Sequence, residues 1–191
     1  MTKVTILCED NTHERFIREY LICRGFADRD ILPFPNVKGK KVNNNNAFVI
    51  KNYKKIVTSY RSRKNNQDLA IVVMIDADDQ SIYERLKQFH IALDPEKGEL
   101  NQDTRFPKEK IAIFIPARNI ETWFYYINSE QQCNEKTDYK KLEYSRLSMQ
   151  QRVSLAKVSA KKLAQEICQS SLKDDAPMSL HQACEELKRL M

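Results

Sequence analysis

The run "LAIVVMI", Leu69 to Ile75, constrains this chain more than any other stretch. It is continuously apolar, and Ile71, Val72, Val73 and Ile75 are β-branched. A strand with one wet face alternates apolar and polar residues. An unbroken apolar run needs cover on both faces, which helices give to a parallel sheet. Directly after it comes "DADD", Asp76 to Asp79. A buried strand that runs straight into three carboxylates ends either in an ordinary polar turn or in a seat for a cation.

The rest of the chain supplies partners for such a strand. "IAIFI", Ile111 to Ile115, is a second buried strand, stopped by Pro116. Lys3 to Cys8 reads as a first strand, and "DILPF" as a short one limited by its prolines. Helical patterns alternate with these. After the first strand, Asn11 is the expected N-cap, with Glu14 closing a capping box, Phe16, Ile17, Tyr20 and Leu21 on one face, and Gly25 just past the end. Val49, Tyr53, Ile56, Val57 and Tyr60 give a second helix over about 47–60. Ser81 and Glu84 form another capping box ahead of Ile82, Leu86 and Phe89. Residues 92–109 read as a polar loop, and "NIETWFYYI" begins a further helix. Beyond Glu130 only helical stretches remain, near 138–145, 149–169 and 179–190. This order predicts an α/β fold: an open, mainly parallel sheet of about four strands flanked by helices over 1–128, with a helical C-terminal extension, 129–191, packed on it.

Size and composition narrow the class. A chain of 191 residues buries a real core. No apolar run approaches the roughly 18 residues of a membrane span, and "MTKVTILCED" lacks the form of a signal peptide. Cys8, Cys23, Cys133, Cys168 and Cys184 are scattered, without a CxxC pair, as expected of reduced thiols in a cytoplasmic protein. The net charge is only +6, but its distribution is uneven. From Ile31 to Gln67 there is no acid, while Lys38, Lys40, Lys41, Lys51, Lys54, Lys55, Arg61, Arg63 and Lys64 all fall in that window. A one-signed stretch suits a polyanion such as nucleic acid, and equally a solvated helix face.

In open α/β sheets ligands bind beyond the carboxyl ends of the strands. Glu9 follows the first strand, Asp76 and Asp78 follow the third, and Glu121 lies in the first turn of the helix after the fourth. Singly, each also suits an ordinary strand end or helix start, and Asp79 is assigned to the cap of the next helix. Gathered at one edge, the carboxylates repel unless a cation neutralises them. A few hard oxygen ligands favour Mg²⁺ or Mn²⁺. An acidic cluster beside a basic segment is the pairing that phosphodiester cleavage uses, the metal acting on the phosphate and the bases holding the polyanion.

Two segments resemble the TOPRIM family. "ILCEDNTHERFIREYL" is similar to its first motif, a strand, a glutamate, a turn and a helix, and "VVMIDADD" to its Asp-x-Asp motif. The resemblance extends to small stand-alone TOPRIM-like proteins of bacteria, related to OLD-type nucleases and some of them linked to phage defence. "IPARNIETWFYY" resembles their third motif, and "KVSAKKLAQEIC" and "APMSLHQACEELKRL" their C-terminal helices. It implies a metal-dependent nuclease or nuclease subunit. Glu9 would be the general acid/base and touch metal, Asp76 and Asp78 would bind the metal, and Glu121 would complete the acidic site or orient a ligand. Lys157 would neutralise phosphate charge. The sequence departs from the pattern where Asp10 replaces the usual glycine and His13 a usual acid, so that His13 reads either as a neutral ligand or as a helix-surface residue.

With three glycines and no P-loop, the chain builds no phosphate cradle, so any ATPase working with it is a separate chain. The histidines give no Ser-His-Asp arrangement, and the aromatics at 123–126 read as core and rim of a helix rather than as a base-stacking platform. Two other readings stay open: a binding subunit with a degenerate acidic site, and an Asp-x-Asp enzyme acting on nucleotide sugars or phosphomonoesters.

Overall fold

A computed structural model describes residues 2–34, 45–100, 102–129, 131–167 and 172–190. Four strands form one parallel sheet: β1 (Lys3–Cys8), β2 (Ile31–Pro33), β3 (Leu69–Met74) and β4 (Ile111–Phe114), in the order β2-β1-β3-β4. The α/β parallel sheet expected from the sequence is thus the observed fold.

The unbroken apolar runs are explained by cover on both faces. Val4, Ile6 and Cys8 of β1, Val72 and Met74 of β3, and Ala112 and Phe114 of β4 face one core, with Phe16, Ile17, Tyr20 and Leu21 of α1 (Asn11–Cys23). The same core takes Trp123, Phe124 and Ile127 of α5 (Glu121–Ser129), Ala156 and Ala160 of α7 (Met149–Lys162), and Leu180 and Ala183 of α8 (Met178–Leu187). Leu7, Ile71, Val73, Ile111 and Ile113 face the opposite core, under Val49, Tyr53, Ile56, Val57 and Tyr60 of α2 (Asn46–Arg63) and Phe89 of α3 (Ile82–Leu93). Trp123 is fully buried and its indole N–H donates to Ser179 Oγ at 2.8 Å, so it joins α5 to α8. Sequence-adjacent Phe124 is buried as well, as expected of a core helix.

Several local expectations are corrected. The cap of α1 is Asp10, not Asn11: its carboxylate accepts from the N–H groups of Thr12 and His13. Glu14 does not close a box there but pairs with Arg18 one turn on. Ser81 and Glu84 do form the capping box of α3, so Asp79 is not needed as a cap and pairs with Arg118 instead. Within the expected loop 92–109 lies a short helix, α4 (Pro95–Glu99). It carries no apolar period and rests on close backbone approach: a Cβ on Gly98 would meet Ile91 N at 2.3 Å. The stretch near 138–145 is helical only over α6 (Tyr139–Leu142), and α7 runs into a π-helical turn, Leu163–Ile167.

The far edge of β4 is closed by side chains. Arg105 donates to Ile111 O, and Glu186 of α8 accepts from Ile113 N, while Arg105 also pairs with Glu186 and Asp103. These groups satisfy the edge as a neighbouring strand would.

Candidate functional site

The parallel register decides where the acids fall. Cys8 is level with Met74, and Met74 with Phe114, so all three chains leave the sheet at one edge. Pairing continues past the strands through Ile75 N to Phe114 O, Ala77 N to Pro116 O and Asp78 N to Arg118 O. Asp78 and Arg118, joined by the last of these bonds, both have positive φ, 55° and 64°. Left-handed backbone at non-glycine residues costs about 1–3 kcal/mol each, and such conformations collect at functional sites.

Glu9 and Asp76 meet directly: Glu9 Oε1 accepts from the Asp76 N–H at 2.7 Å. His13, buried near the start of α1, stands between two carboxylates. Its Nδ1 is 2.9 Å from Asp10 Oδ1 and its Nε2 is 3.0 Å from Asp76 Oδ1. Asp78 Oδ2 accepts from Asn46, the first residue of α2, and from Arg85 at 3.3 Å. Glu121 is 3% exposed, its Oε1 lies 3.8 Å from Arg152 Nη1, and its Oε2 has no hydrogen-bond partner.

A pattern runs through these contacts. Each of the four acids has one oxygen positioned by the protein. Among the described residues, the second oxygen of each carries no protein hydrogen bond. Of these oxygens only Glu121 Oε2 is itself buried, and a buried carboxylate oxygen without a partner is costly.

The electrostatics reflect the crowding. Burial first, and then the Asp76 charge, push the Glu9 carboxyl up to about 7, although His13 opposes this. Glu121 is raised for the same two reasons, burial and then Asp76, with Lys140 opposing. Burial would raise Asp10, yet His13 holds its carboxyl well below the usual range. Burial would lower His13, yet Asp76 and Asp10 hold it well above its ordinary value. Each ring nitrogen thus faces a carboxylate oxygen, an arrangement that favours the protonated ring.

Glu9, Asp76, Asp78 and Glu121 are thus neighbours. Lys157 sits elsewhere on α7, 4.0 Å from Glu19 of α1, where Lys161 also pairs at 3.4 Å. The α7 base beside Glu121 is Arg152, which sequence reasoning missed. Tyr144 O and Leu147 O each accept from its guanidinium at 3.3 Å. Arg85, Arg118 and Asn46 were also missed, because their approach depends on how loops cross the sheet edge. His13 is neither on the helix surface nor free as a ligand: it is buried and held by two carboxylates, and only its spacing from Asp10 is readable in sequence. Lys51, Lys54 and Lys55 lie on α2, whose first residue touches Asp78. At 1.5 Å per residue, they stand about 7–14 Å along the helix from Asn46. Lys38, Lys40 and Lys41 lie outside the described residues.

Carboxylate oxygens, the orphaned Glu121 Oε2 among them, are the donor type that hard divalent ions take. Among the described residues, no three His, Cys, Asp or Glu side chains already converge as a metal-holding group. The carboxylates are gathered but held by protein donors. No helix among the described residues is long and apolar enough to cross a membrane.

No protein-family model and no curated protein matches the chain. A solved structure of the C-terminal region of the Xanthomonas campestris pv. campestris OLD protein is similar to it, at 12% identity and a TM-score of 0.35, over 98% of this chain and 95% of that one. At that TM-score the likeness carries no argument about function.

Proposed function

We propose that this protein is a divalent-metal-dependent nuclease, or the nuclease subunit of an assembly, that cleaves phosphodiester bonds in nucleic acid. The observation that carries the reading is the gathering of Glu9, Asp76, Asp78 and Glu121 at one sheet edge, with the buried Glu121 Oε2 unpartnered. Glu9, Asp76 and Asp78 would hold Mg²⁺ or Mn²⁺. When bound, the ion polarises the phosphoryl oxygen and makes a bound water acidic.

The chain's own residues do the rest. The Asp76 N–H fixes the Glu9 carboxylate, leaving its second oxygen to exchange a proton with water or the leaving oxygen. Arg85 and Asn46 orient Asp78. Arg152 offers a guanidinium to a phosphate oxygen beside Glu121. Lys51, Lys54 and Lys55 hold the backbone of the polyanion without reading its sequence. The TOPRIM-like resemblance extends this to phage defence with a separate ATPase chain in the bacterial cytoplasm.

The test is cleavage of single-stranded, duplex and structured DNA and RNA with Mg²⁺ or Mn²⁺. Cleavage that survives replacing both Asp76 and Asp78 with Ala would sink the reading. One observation favours a second reading, a nucleic-acid- or partner-binding subunit with a degenerate site: the His13 ring engages Asp76 Oδ1. Salt-sensitive binding without cleavage under either metal would support it.

A further inference from the structure

The two flanks of α2 differ in charge. We propose that the flank over β1 carries a pocket for one base of a single-stranded nucleic acid, with Lys55 and Arg63 at its mouth to hold the phosphates. The inference deepens the reading above by naming the form of its substrate, and it rests on the nucleic-acid part of that reading.

Three observations carry it. The first is the cavity between α2 and the sheet, about 150 Å³ in volume. A cavity of that order holds one six-membered aromatic ring. Its floor is apolar, from Phe34, Ile56, Leu69 and Ile71. Its wall carries the hydroxyls of Thr5 and Ser59, groups that both donate to and accept from a base edge. Alternation along β1 puts Thr5 on the same face as the core residue Leu7, and Thr5 is only partly buried there. A larger apolar side chain at that position would fill the space.

The second is charge. On the other flank of α2, Arg61 and Lys64 both pair with Glu109, at 2.8 and 3.3 Å. Lys55 and Arg63 line the cavity and pair with no acid among the described residues. Arg63 is folded back on its own helix. Its Nε donates to Ser59 O at 3.1 Å and its Nη2 to Ser59 Oγ at 2.9 Å, which keeps the guanidinium at the mouth. An apolar floor under cations that no carboxylate neutralises matches a flat ring carrying negative charge, which is a nucleotide.

The third is placement. The helix begins at the acidic edge, where Asn46 donates to Asp78. Ser59 stands about 20 Å along the axis from Asn46, at 1.5 Å per residue. Lys51 and Lys55 lie between them, one turn apart. A strand that leaves the acidic edge along this ridge reaches the pocket. A duplex keeps its bases stacked and paired, whereas a single strand has them free to enter.

The experiment is fluorescence anisotropy of the full chain in the presence of a chelator, with labelled oligothymidylate, a duplex of the same length, and thymidine monophosphate as competitor. The wild-type protein is expected to bind the single strand about tenfold more tightly than the duplex, the scale of one base contact. Ser59→Trp, which fills the cavity, is expected to bring single-strand affinity down to the duplex level and to leave duplex affinity unchanged. A strand carrying 5-iodouracil is expected to crosslink to Phe34 or Tyr60, both of which line the cavity. The crosslink decides alone if the Trp variant fails to fold by circular dichroism. Equal wild-type affinity for strand and duplex, undiminished strand binding by folded Ser59→Trp, crosslinks only outside the cavity, or thymidine monophosphate binding as tightly as the strand would each overturn the inference. All four leave the nuclease reading standing, since its own test is cleavage after loss of Asp76 and Asp78. A wild-type protein that binds no nucleic acid overturns both.

Discussion

The Glu9 carboxylate accepts a hydrogen bond from the backbone N–H of Asp76 at 2.7 Å, which ties the end of β1 to the end of β3. The two residues are 67 positions apart in sequence. Parallel pairing of β1 with β3 brings them level, and the bond fixes one Glu9 oxygen while leaving the other for chemistry.

Replacing both Asp76 and Asp78 with Ala is expected to abolish Mn²⁺ binding and lower cleavage by more than about a hundredfold, the scale of losing a principal charge stabiliser. Mn²⁺ titration and oligonucleotide cleavage measure the two effects. Thermal melts control for folding, because Asp76 also anchors His13.

Arg152→Ala is expected to lower kcat/KM by about 10- to 100-fold, the loss of one charge-assisted hydrogen bond of roughly 1.5–3 kcal/mol. Added guanidinium ion should restore part of the rate. Unchanged kinetics would remove Arg152 from the site.

Changing Lys51, Lys54 and Lys55 together to Ala is expected to weaken nucleic-acid binding uniformly across sequences. The slope of log affinity against log salt should fall by about one for each phosphate that a replaced lysine had neutralised. Filter binding or anisotropy over a salt series tests this.

Acid stability should follow Glu109. Burial would raise its carboxyl, but hydrogen bonds from Arg61, the Phe106 N–H and Lys64 hold it below the ordinary 4.5. A depressed folded-state value means the stabilisation is fully present above 4.5 and is lost as pH falls through the lower folded value. Urea melts from about pH 7 down to about pH 3 should show that loss, and Glu109→Gln should flatten it.

Arg105→Ala is expected to cost about 3 kcal/mol, because it leaves Glu186 and Asp103 without their buried partner and Ile111 O without its donor. The change should appear in urea melts and as faster hydrogen exchange of α8.

Much of the architecture was legible because it is written in local pattern. The continuous apolar runs at Leu69–Ile75 and Ile111–Ile115 can be satisfied only between two layers, and the helical periods around them supply those layers. The Ser81–Glu84 box was readable because capping acts within one turn. The short helix α4 was not, since its stability comes from Gly98 lying against α3 rather than from any periodicity.

For the site, the sequence by itself determined which acids end up at the sheet edge, because parallel strands send their carboxyl ends the same way. It did not determine what faces them. That His13 bridges Asp10 to Asp76, that Asp79 turns to Arg118, and that Arg152 rather than Lys157 stands beside Glu121 were decided by tertiary structure. Charge pairing across a folded edge depends on distance in space, and spacing along the chain does not encode it.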